Sequence, residues 1–353
     1  MKRLITFISV VFIANIAMTS VISAEEKVNV KNFVVNKIKT EINEINSFLN
    51  ATEYKREFSR DFSVGSSPSL TIKNSFGKIN IVEGADDKIV FKITIIGKGK
   101  NDELAKNYAE TADVNFSQNS NSIIAKTEYE KIKCKNCGRT VDYEVTVPKS
   151  IKLILENKYG DVIINNASEP IVVKVDFGKF FANVISDIDL SVTYGGATIN
   201  KCENMKIKSG FSKFKLGEVG SITGKIEYDG YDIKELGKAD ISSGFSNMDV
   251  EKLKKSFSAK SFSYGSLVVK NVDFDFSDIK IDASFAKVRI ALNENHNFKA
   301  TLYTSFGNIK TGKVGFYEKT LDKKDAIVGV AGKIKEPSST VNISNSYGNI
   351  NFE

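Results

Sequence analysis

The chain has 353 residues, of which 41% are hydrophobic and 26% are charged, so it can bury a sizeable core and does not have the composition of a disordered chain. Its net charge is +7, and its lysines alternate with aspartates and glutamates along the sequence. A nucleic-acid-binding surface needs basic residues clustered on one face, whereas this scattered pattern predicts a solvated surface. We therefore expect no nucleic-acid partner.

The first 24 residues have the order of a secretory signal peptide. Lys2 and Arg3 precede an uncharged run over residues 4–24, which ends in small residues. This order predicts cleavage after Ala24 and export to the periplasm, the cell surface or the extracellular medium. The alternative is an uncleaved anchor helix, since roughly 20 apolar residues span a bilayer. No later segment is predicted to cross a membrane.

Residues 25–66 are predicted to be a separate segment. Apolar residues recur at helical spacing from Val34 to Leu49, which predicts one amphipathic helix. A serine-rich stretch over residues 63–69 then predicts a linker. The helix either packs as a cap against the end of the main domain or binds a partner or a membrane surface.

A repeat fills residues 67–353. An aromatic residue preceded by alternating apolar residues recurs eleven times, and in the middle of the chain the step is 17 residues. In seven of the eleven cases the next residue is glycine. Over the whole repeat the period is about 20 residues, and internal repetition at such a period is typical of a solenoid. The aromatic residues are Phe76, Tyr159, Phe177, Tyr194, Phe211, Tyr228, Phe245, Tyr264, Phe285, Phe306 and Tyr347.

The phase of each repeat predicts a turn near the aromatic residue. Apolar residues two, four and six positions before it share its face of a strand. Those three and five positions after it lie at odd steps, so the backbone must turn in between. We expect the small residue that follows the aromatic to make this turn, and the rings to fill an interior corner and stack from unit to unit.

The predicted fold is therefore all-β: a parallel β-solenoid, or β-helix, with coils of about 17–21 residues and strands of about five to seven residues. The alternative is an antiparallel meander or propeller, which would favour Asn-Gly or Asp-Gly hairpin turns.

Two stretches interrupt the repeat. Within an insertion at about residues 98–150, the pattern predicts a short helix over 104–112 and two strands, 122–130 and 141–147, paired as a hairpin. The second stretch lies between Phe306 and Tyr347 and contains a charged segment, 318–325, predicted to be a loop. Such loops either carry binding residues or are tolerated insertions.

The signal peptide and the Asn-x-aromatic-Gly units resemble a family of exported bacterial proteins known as putative adhesins, a domain of unknown function. The matching segments are residues 74–77 (Asn-Ser-Phe-Gly), residues 345–348 (Asn-Ser-Tyr-Gly) and the Val147-Pro148 pair that ends the insertion. The resemblance covers about residues 67–353. It implies a β-solenoid or β-helix fold and attachment to a surface, and it supplies no catalytic residues.

Cys134 and Cys137 form a Cys-x-x-Cys motif at the tip of the predicted hairpin. In an oxidising compartment a local disulfide is the simplest interpretation. A zinc site would need further ligands, such as Cys202 or His296, and a redox pair would normally open a helix. A disulfide would leave Cys202 unpaired.

No stretch has a convincing catalytic signature. His296, the only histidine, is predicted to be an exposed loop residue, which does not support a Ser-His-Asp arrangement. Because some β-helix enzymes cleave polysaccharides with carboxylates, with or without calcium, the best enzymatic candidates are Asp273, Asp275, Asp278 and Asp282. Calcium needs six to eight converging oxygens, and alternating aspartates on a strand more often form a solvated face.

These observations predict an exported, non-enzymatic, adhesin-like binding or structural protein of the cell envelope that presents a polar, multivalent surface. No cofactor or metal is expected, and the partner is expected to be a glycan or an envelope protein. The alternatives are a polysaccharide lyase or hydrolase, and a periplasmic accessory protein that binds a partner through its N-terminal helix.

Overall fold

The structure is a computed structural model that describes residue 39 and residues 52–84, 87–119, 121–134 and 136–353. The signal peptide and the amphipathic helix expected near residues 34–49 lie outside the described residues. Within those ranges the chain is nearly all β, with one helix, α1 (Asp102–Glu110). None of the helical segments in these ranges is both long and apolar enough to cross a bilayer.

The chain divides into two compact units. The smaller unit comprises the described parts of residues 1–57, 94–113 and 128–140, and the larger unit comprises residues 58–93, 114–127 and 141–353. The strands of the first half of the chain are β1 (Thr52–Ser63), β2 (Ser69–Phe76), β3 (Ile79–Glu83), β4 (Lys88–Gly99), β5 (Ala112–Asn119), β6 (Ser122–Tyr129), β7 (Gly138–Val147), β8 (Lys152–Tyr159), β9 (Val162–Ala167) and β10 (Ile171–Asp176).

The second half of the chain contains fourteen further strands in its described residues. These are β11 (Lys179–Thr193), β12 (Gly196–Gly210), β13 (Lys213–Glu227), β14 (Gly230–Gly244), β15 (Asn247–Ser263), β16 (Ser266–Val269), β17 (Asp278–Ser284), β18 (Lys287–Ile290), β19 (Phe298–Ser305), β20 (Ile309–Lys310), β21 (Phe316–Asp322), β22 (Ala326–Ala331), β23 (Thr340–Ser346) and β24 (Ile350–Phe352).

The smaller unit is organised around helix α1. Its first turn is capped by Asn101, whose side-chain oxygen accepts a hydrogen bond from the Leu104 amide at 2.9 Å. In the same unit the Arg139 guanidinium lies over two aromatic rings, 5.2 Å from the centre of Tyr108 and 4.7 Å from that of Tyr129. These contacts join helix α1, the end of β6 and the start of β7.

The regular part of the larger unit consists of parallel strands displaced by one repeat. Strands β11 to β14 each pair in parallel with the next, and partners are 17 residues apart, as in Ile188 beside Met205 and Met205 beside Ile222. Equivalent side chains therefore stack in rows, and the buried rings of Phe214 and Tyr231 lie 4.4 Å apart. These strands have 15 residues each, so the expectation of five to seven residues is wrong for this part of the chain.

The long strands stay buried on one side because they bend. A straight strand buries every second residue. After Gly196, the buried residues of β12 are spaced by two, three, three, two and two positions, so the alternation changes phase twice. These residues are Ala197, Ile199, Cys202, Met205, Ile207 and Ser209. Each change of phase reorients the strand while the apolar side chains continue to face the core.

The C-terminal strands do not follow chain order. Strand β23 lies between β17 and β19 and is parallel to both. In the same way β24 lies between β18 and β20. The outer side of β19 pairs with β22 in antiparallel fashion, and β22 pairs with β21. The stretch between Phe306 and Tyr347 thus contains an antiparallel pair of strands, β21 and β22, and the segment predicted as a charged loop is largely strand β21.

At the other end, β2 lies between β6 and β8, and β3 lies between β7 and β9, with all four pairings parallel. Strands β6 and β7, which the sequence predicts to form a hairpin, therefore pair with two different strands of the first repeat, β2 and β3. Both pairings are parallel. The predicted short helix is present as α1. Strand β1 was not predicted, because it falls in a segment expected to contain a helix and a linker.

Candidate functional site

Nine corners of the larger unit place an aromatic residue in the left-handed region, with φ between 51° and 58°. This conformation costs a non-glycine residue roughly 1–2 kcal/mol, so the surroundings must stabilise it. In eight of the nine, all but Phe306, the amide donates to a carbonyl of the neighbouring repeat, as in Tyr194 to Gly210 at 3.0 Å. At the first two corners the following glycine, Gly77 or Gly160, has the positive φ instead.

The aromatic rings lie on the surface, and the prediction that they fill an interior corner is wrong. Tyr194 is 49% exposed, and most of the others are exposed to a similar degree. The left-handed conformation interrupts the inward–outward alternation of side chains at the aromatic residue itself. The aromatic side chain therefore points outward and the side chain of the next residue points inward. Ser212, Asp229 and Ser246 occupy that position and are buried. The residue is small because the inside of the corner is crowded.

The rings nevertheless stack face to face into one continuous column, which we call the aromatic ladder. Centres of successive rings are 4.6–5.2 Å apart, and their planes differ by at most 21°. In spatial order the rings are Phe76, Tyr159, Phe177, Tyr194, Phe211, Tyr228, Phe245, Tyr264, Phe285, Tyr347 and Phe306.

Phenylalanine and tyrosine alternate along the whole ladder. In sequence Phe306 precedes Tyr347, but the insertion of β23 places Tyr347 between Phe285 and Phe306. Tyrosine hydroxyls therefore recur about every 9.5 Å, twice the spacing of neighbouring strands. Ring faces cover one another, so the ladder presents ring edges and hydroxyls to solvent. Phe306, at the end, is 82% exposed.

The ladder forms a large exposed aromatic surface. An aromatic side chain has roughly 150–250 Å² of surface, and about half of each of eleven rings gives on the order of 1,000 Å². The largest apolar patch on a typical monomer is about 300–600 Å². The ladder is therefore a candidate interaction surface.

A buried polar network supports the ladder in the central repeats. The carboxylate of Asp229 accepts hydrogen bonds from the Ser212 amide at 2.8 Å, the Ser209 hydroxyl at 2.6 Å and the Glu227 amide at 3.1 Å. The Ser209 hydroxyl also lies 2.7 Å from the hydroxyl of Tyr231. Burial raises the pKa of the Asp229 carboxyl, and the three hydrogen bonds oppose that shift.

Asparagine side chains take over this role towards the ends of the ladder. Asn157 Nδ2 donates to the Gly77 carbonyl at 2.8 Å and to the carbonyl four residues later at 3.2 Å. Asn345 Nδ2 makes the equivalent bonds, to the Ala286 carbonyl at 2.9 Å and to the carbonyl four residues later at 3.2 Å. The asparagine of the Asn-x-aromatic-Gly units thus joins two neighbouring corners.

Beside the N-terminal part of the ladder lies a groove of about 630 Å³ that we call the amide groove. Its apolar lining includes Ile163 and Phe181. A row of side-chain amides runs along it, in which Asn200 Nδ2 donates to Asn183 Oδ1 at 3.0 Å and Asn183 Nδ2 donates to Asn166 Oδ1 at 3.3 Å. This groove offers apolar contact and neutral hydrogen-bonding groups.

Beside the C-terminal part lies a second groove, of about 760 Å³, that we call the cationic groove. Two ladder rings and four charged side chains contribute to its lining: Phe285, Tyr347, Lys287, Arg289, Lys310 and Glu353. Arg289 Nε lies 3.3 Å from Glu353 Oε1. Among the residues that the structure describes, Lys287 and Lys310 have no carboxylate within ion-pair distance.

The candidate catalytic residues do not form a site. His296 is buried, so the prediction of an exposed residue is wrong: its Nε2 lies 3.0 Å from the Val272 carbonyl oxygen. Asp273 pairs with Lys252 at 2.8 Å. Asp275 pairs with Lys255, which lowers the pKa of that carboxyl.

The other two aspartates of the cluster are also separate. Asp278 Oδ1 accepts a hydrogen bond from the Ser277 hydroxyl at 3.0 Å, and Asp282 is exposed. Within the described ranges no three His, Cys, Asp or Glu side chains are grouped as metal ligands.

The cysteines fall into two kinds. Cys134 and Cys137 are joined by a disulfide. Cys202 is buried and is not in a disulfide. Burial, followed by the nearby charges of Asp187 and Glu203, raises the pKa of the Cys202 thiol to about 12, so it is an inert core residue.

No family model and no curated protein matches this chain. It is similar to solved structures, among them a putative cell adhesion protein from Clostridium sporogenes (11% identity, TM-score 0.23, covering 85% of this chain and 99% of that one). Another is a putative adhesin from Bacteroides fragilis (15% identity, TM-score 0.37, covering 65% and 94%), and a third is one from Parabacteroides distasonis (13% identity, TM-score 0.32, covering 65% and 95%).

The resemblance to putative adhesins that the sequence motifs indicate is thus found again among solved structures. At these identities and TM-scores the likeness carries no argument about function. The function is therefore argued from the ladder and the grooves beside it.

Proposed function

We propose that this chain is an exported, non-enzymatic, adhesin-like binding protein of the cell envelope, and that the aromatic ladder is its binding surface. The observation that carries the proposal is a continuous exposed column of eleven rings, larger than the apolar patches of ordinary monomers. The rings are set by backbone conformation and by mutual stacking, so they would bind a partner with little loss of side-chain entropy.

We infer that the larger unit is a parallel β-solenoid. Support comes from the 17-residue displacement between parallel neighbours and from the three changes of direction in each regular repeat, two inside the long strand and one at the aromatic corner. In such a fold each coil adds one rung to the ladder, so length and number of contacts grow together.

A binding role is favoured over catalysis by the state of the candidate residues. Asp273 and Asp275 are engaged by lysines, and His296 is buried against backbone and asparagine groups. The ladder, by contrast, is exposed and regular. Multivalent weak contacts along a repeated surface are a physical route to strong attachment.

The proposal is tested by removing rings without disturbing the corners. Phe245 and Tyr264 both have φ of 54°, which glycine adopts freely, so Phe245→Gly with Tyr264→Gly keeps the backbone conformation. The matched control is Tyr303→Ser, which removes an aromatic side chain that is 46% exposed and lies outside the ladder.

Binding of the purified chain to envelope fractions would be measured by sedimentation, with circular dichroism as the check on folding. We expect the ladder variant to bind about tenfold or more weakly, and the control to bind like the wild type. Wild-type binding by a folded ladder variant would exclude the ladder as the binding surface. Protease shaving of intact cells, compared with fractionation, tests export and surface location.

A further inference from the structure

We propose that the cationic groove binds the carboxylate groups of an acidic linear polysaccharide. This inference rests on the proposed function and names the ligand class for the C-terminal part of the ladder. The groove is built by strands that are far apart in sequence, β18, β24 and β20, which lie side by side in parallel.

The cations of the groove are arranged in order along the strands. Arg289 on β18 and Lys310 on β20 are both register partners of Asn351 on β24. The two cations are therefore two strands apart, about 9.5 Å. Lys287 precedes Arg289 by two residues on the same face of β18. Anionic groups repeated along one polymer could contact these positions together.

The charge in the groove is unbalanced, unlike that on the outer surface of the central repeats. Three cations line the groove with one carboxylate side chain, that of Glu353, which lies beside Arg289. Hydrogen bonds from lysine and arginine to an ionised carboxylate are roughly twice as strong as those between neutral groups. In the central repeats, by contrast, many lysines are paired with carboxylates of a neighbouring repeat, among them Lys201 with Glu218, Lys206 with Asp189, Lys252 with Asp273 and Lys270 with Glu251.

The remaining lining favours a sugar polymer over other anions. Phe285 and Tyr347 form an amphipathic wall of electropositive ring edges and a hydroxyl, suited to the oxygens and hydroxyls of a sugar. The side chains of Asn349 and Asn351 add neutral hydrogen-bonding groups. A nucleic acid would stack its bases on ring faces, and both faces of Phe285 and of Tyr347 are covered by neighbouring rings.

The test uses the full chain and one polymer in two charge states. Polygalacturonate carries a carboxylate on each sugar, and its methyl ester has the same backbone without the charges. Binding of each would be measured by titration calorimetry at low and at moderate salt. We expect the acid form to bind, to weaken as salt is raised, and to bind about tenfold or more tightly than the ester.

Two variants locate the site. Lys287→Ser with Lys310→Ser removes the unpaired cations and is expected to reduce binding of the acid form to that of the ester. Lys213→Ser is the matched control, because Lys213 follows Phe211 by two residues as Lys287 follows Phe285. The control is expected to bind like the wild type, within about twofold.

Three results would overturn the assignment: equal binding of acid and ester, unchanged binding by the double lysine variant, or equally tight binding of a DNA oligonucleotide. The ladder variant separates the two proposals. If the ladder variant loses polymer binding while the double lysine variant retains it, the assignment of the cationic groove is wrong and that of the ladder as the binding surface is supported. If the double lysine variant loses binding and the ladder variant retains it, the ladder is not the binding surface.

Discussion

The central repeats and the C-terminal end of the larger unit share one corner but differ in the path of the chain. From β11 to β15 each strand lies beside the next one in sequence, whereas at the end β23 lies between β17 and β19. Phenylalanine and tyrosine nevertheless alternate through both regions. The identity of each ring therefore follows its place in the sheet and not its place in the sequence.

The two regions also satisfy the buried corners differently. Buried backbone groups need hydrogen-bond partners. In the centre the side chain after the aromatic provides them, as Asp229 and Ser246 do. Near the ends the asparagine two positions before the aromatic does so, as in Asn157 and Asn345. Changes confined to one region should therefore leave the corners of the other intact.

The largest effect is expected from removing residues 340–353, which takes away β23 and β24. The edges of β17 and β19 then lose their shared partner, and four large buried side chains are lost, worth about 6–12 kcal/mol: Val341, Ile343, Ile350 and Phe352. Hydrogen exchange should show β19 opening while β12 and β13 remain protected. A peptide of residues 340–353 added in trans should restore protection. Unchanged exchange in β19 would contradict the inserted position of β23.

A smaller effect is expected from Gly195→Ala in the central repeats. A Cβ atom at Gly195 would collide with the Gly178 carbonyl oxygen at the neighbouring corner, so the variant should lose about 3 kcal/mol of unfolding free energy. Gly230→Ala is the control, because nothing lies within 4 Å of a Cβ there. Urea denaturation measures both, and equal stability of the two variants would contradict the tight strand approach.

The ladder itself allows a comparison of centre and end. Tyr228 stacks on two rings, with centres at 4.6 Å and 4.7 Å, whereas Phe306 has one ladder neighbour, at 4.8 Å. Each stacked pair contributes about 0.5–1.5 kcal/mol. We expect Tyr228→Ala to cost about 2 kcal/mol and Phe306→Ala about 1 kcal/mol in urea denaturation. An equal cost at both positions would mean that stacking does not stabilise the ladder.

The smallest effect concerns pH and is specific to the centre. Burial raises the folded-state pKa of the Asp229 carboxyl above its ordinary value of 3.8. Its charge therefore costs stability at neutral pH, and this cost falls as pH drops through the folded pKa towards 3.8, because the folded state takes up the proton first. As the pH is lowered from neutral towards 3.8, the melting temperature of the wild type should rise relative to that of Asp229→Asn. A constant difference would show that the carboxylate titrates as in the unfolded chain.

The sequence was sufficient to predict the repeat, its β content and the buried residues three and five positions after the aromatics of the central repeats, such as Phe214 and Leu216. It could not place the rings. The same apolar pattern fits a turn after the aromatic or a turn at it, and hydrophobicity favours placing Phe and Tyr inside. Only the left-handed conformation, which is rare for such residues, decides the question.

The sequence also could not reveal the order of strands at the C-terminal end. Strand β21 is mostly exposed, so it lacks the alternation that marks a half-buried strand. The cationic groove was missed for a related reason. Lys287 and Lys310 are 23 residues apart in sequence, and they come together only because β24 lies between their strands.

The position of β23 has a consequence for how the protein is made. A nascent chain that folds from its N-terminus can add central strands one after another as they emerge. The C-terminal end cannot be completed in this way, because β23, which lies between β17 and β19, comes late in the sequence. Until residues 340–346 are available, two open strand edges can recruit other chains. Interrupted synthesis at this stage would therefore yield an aggregation-prone species.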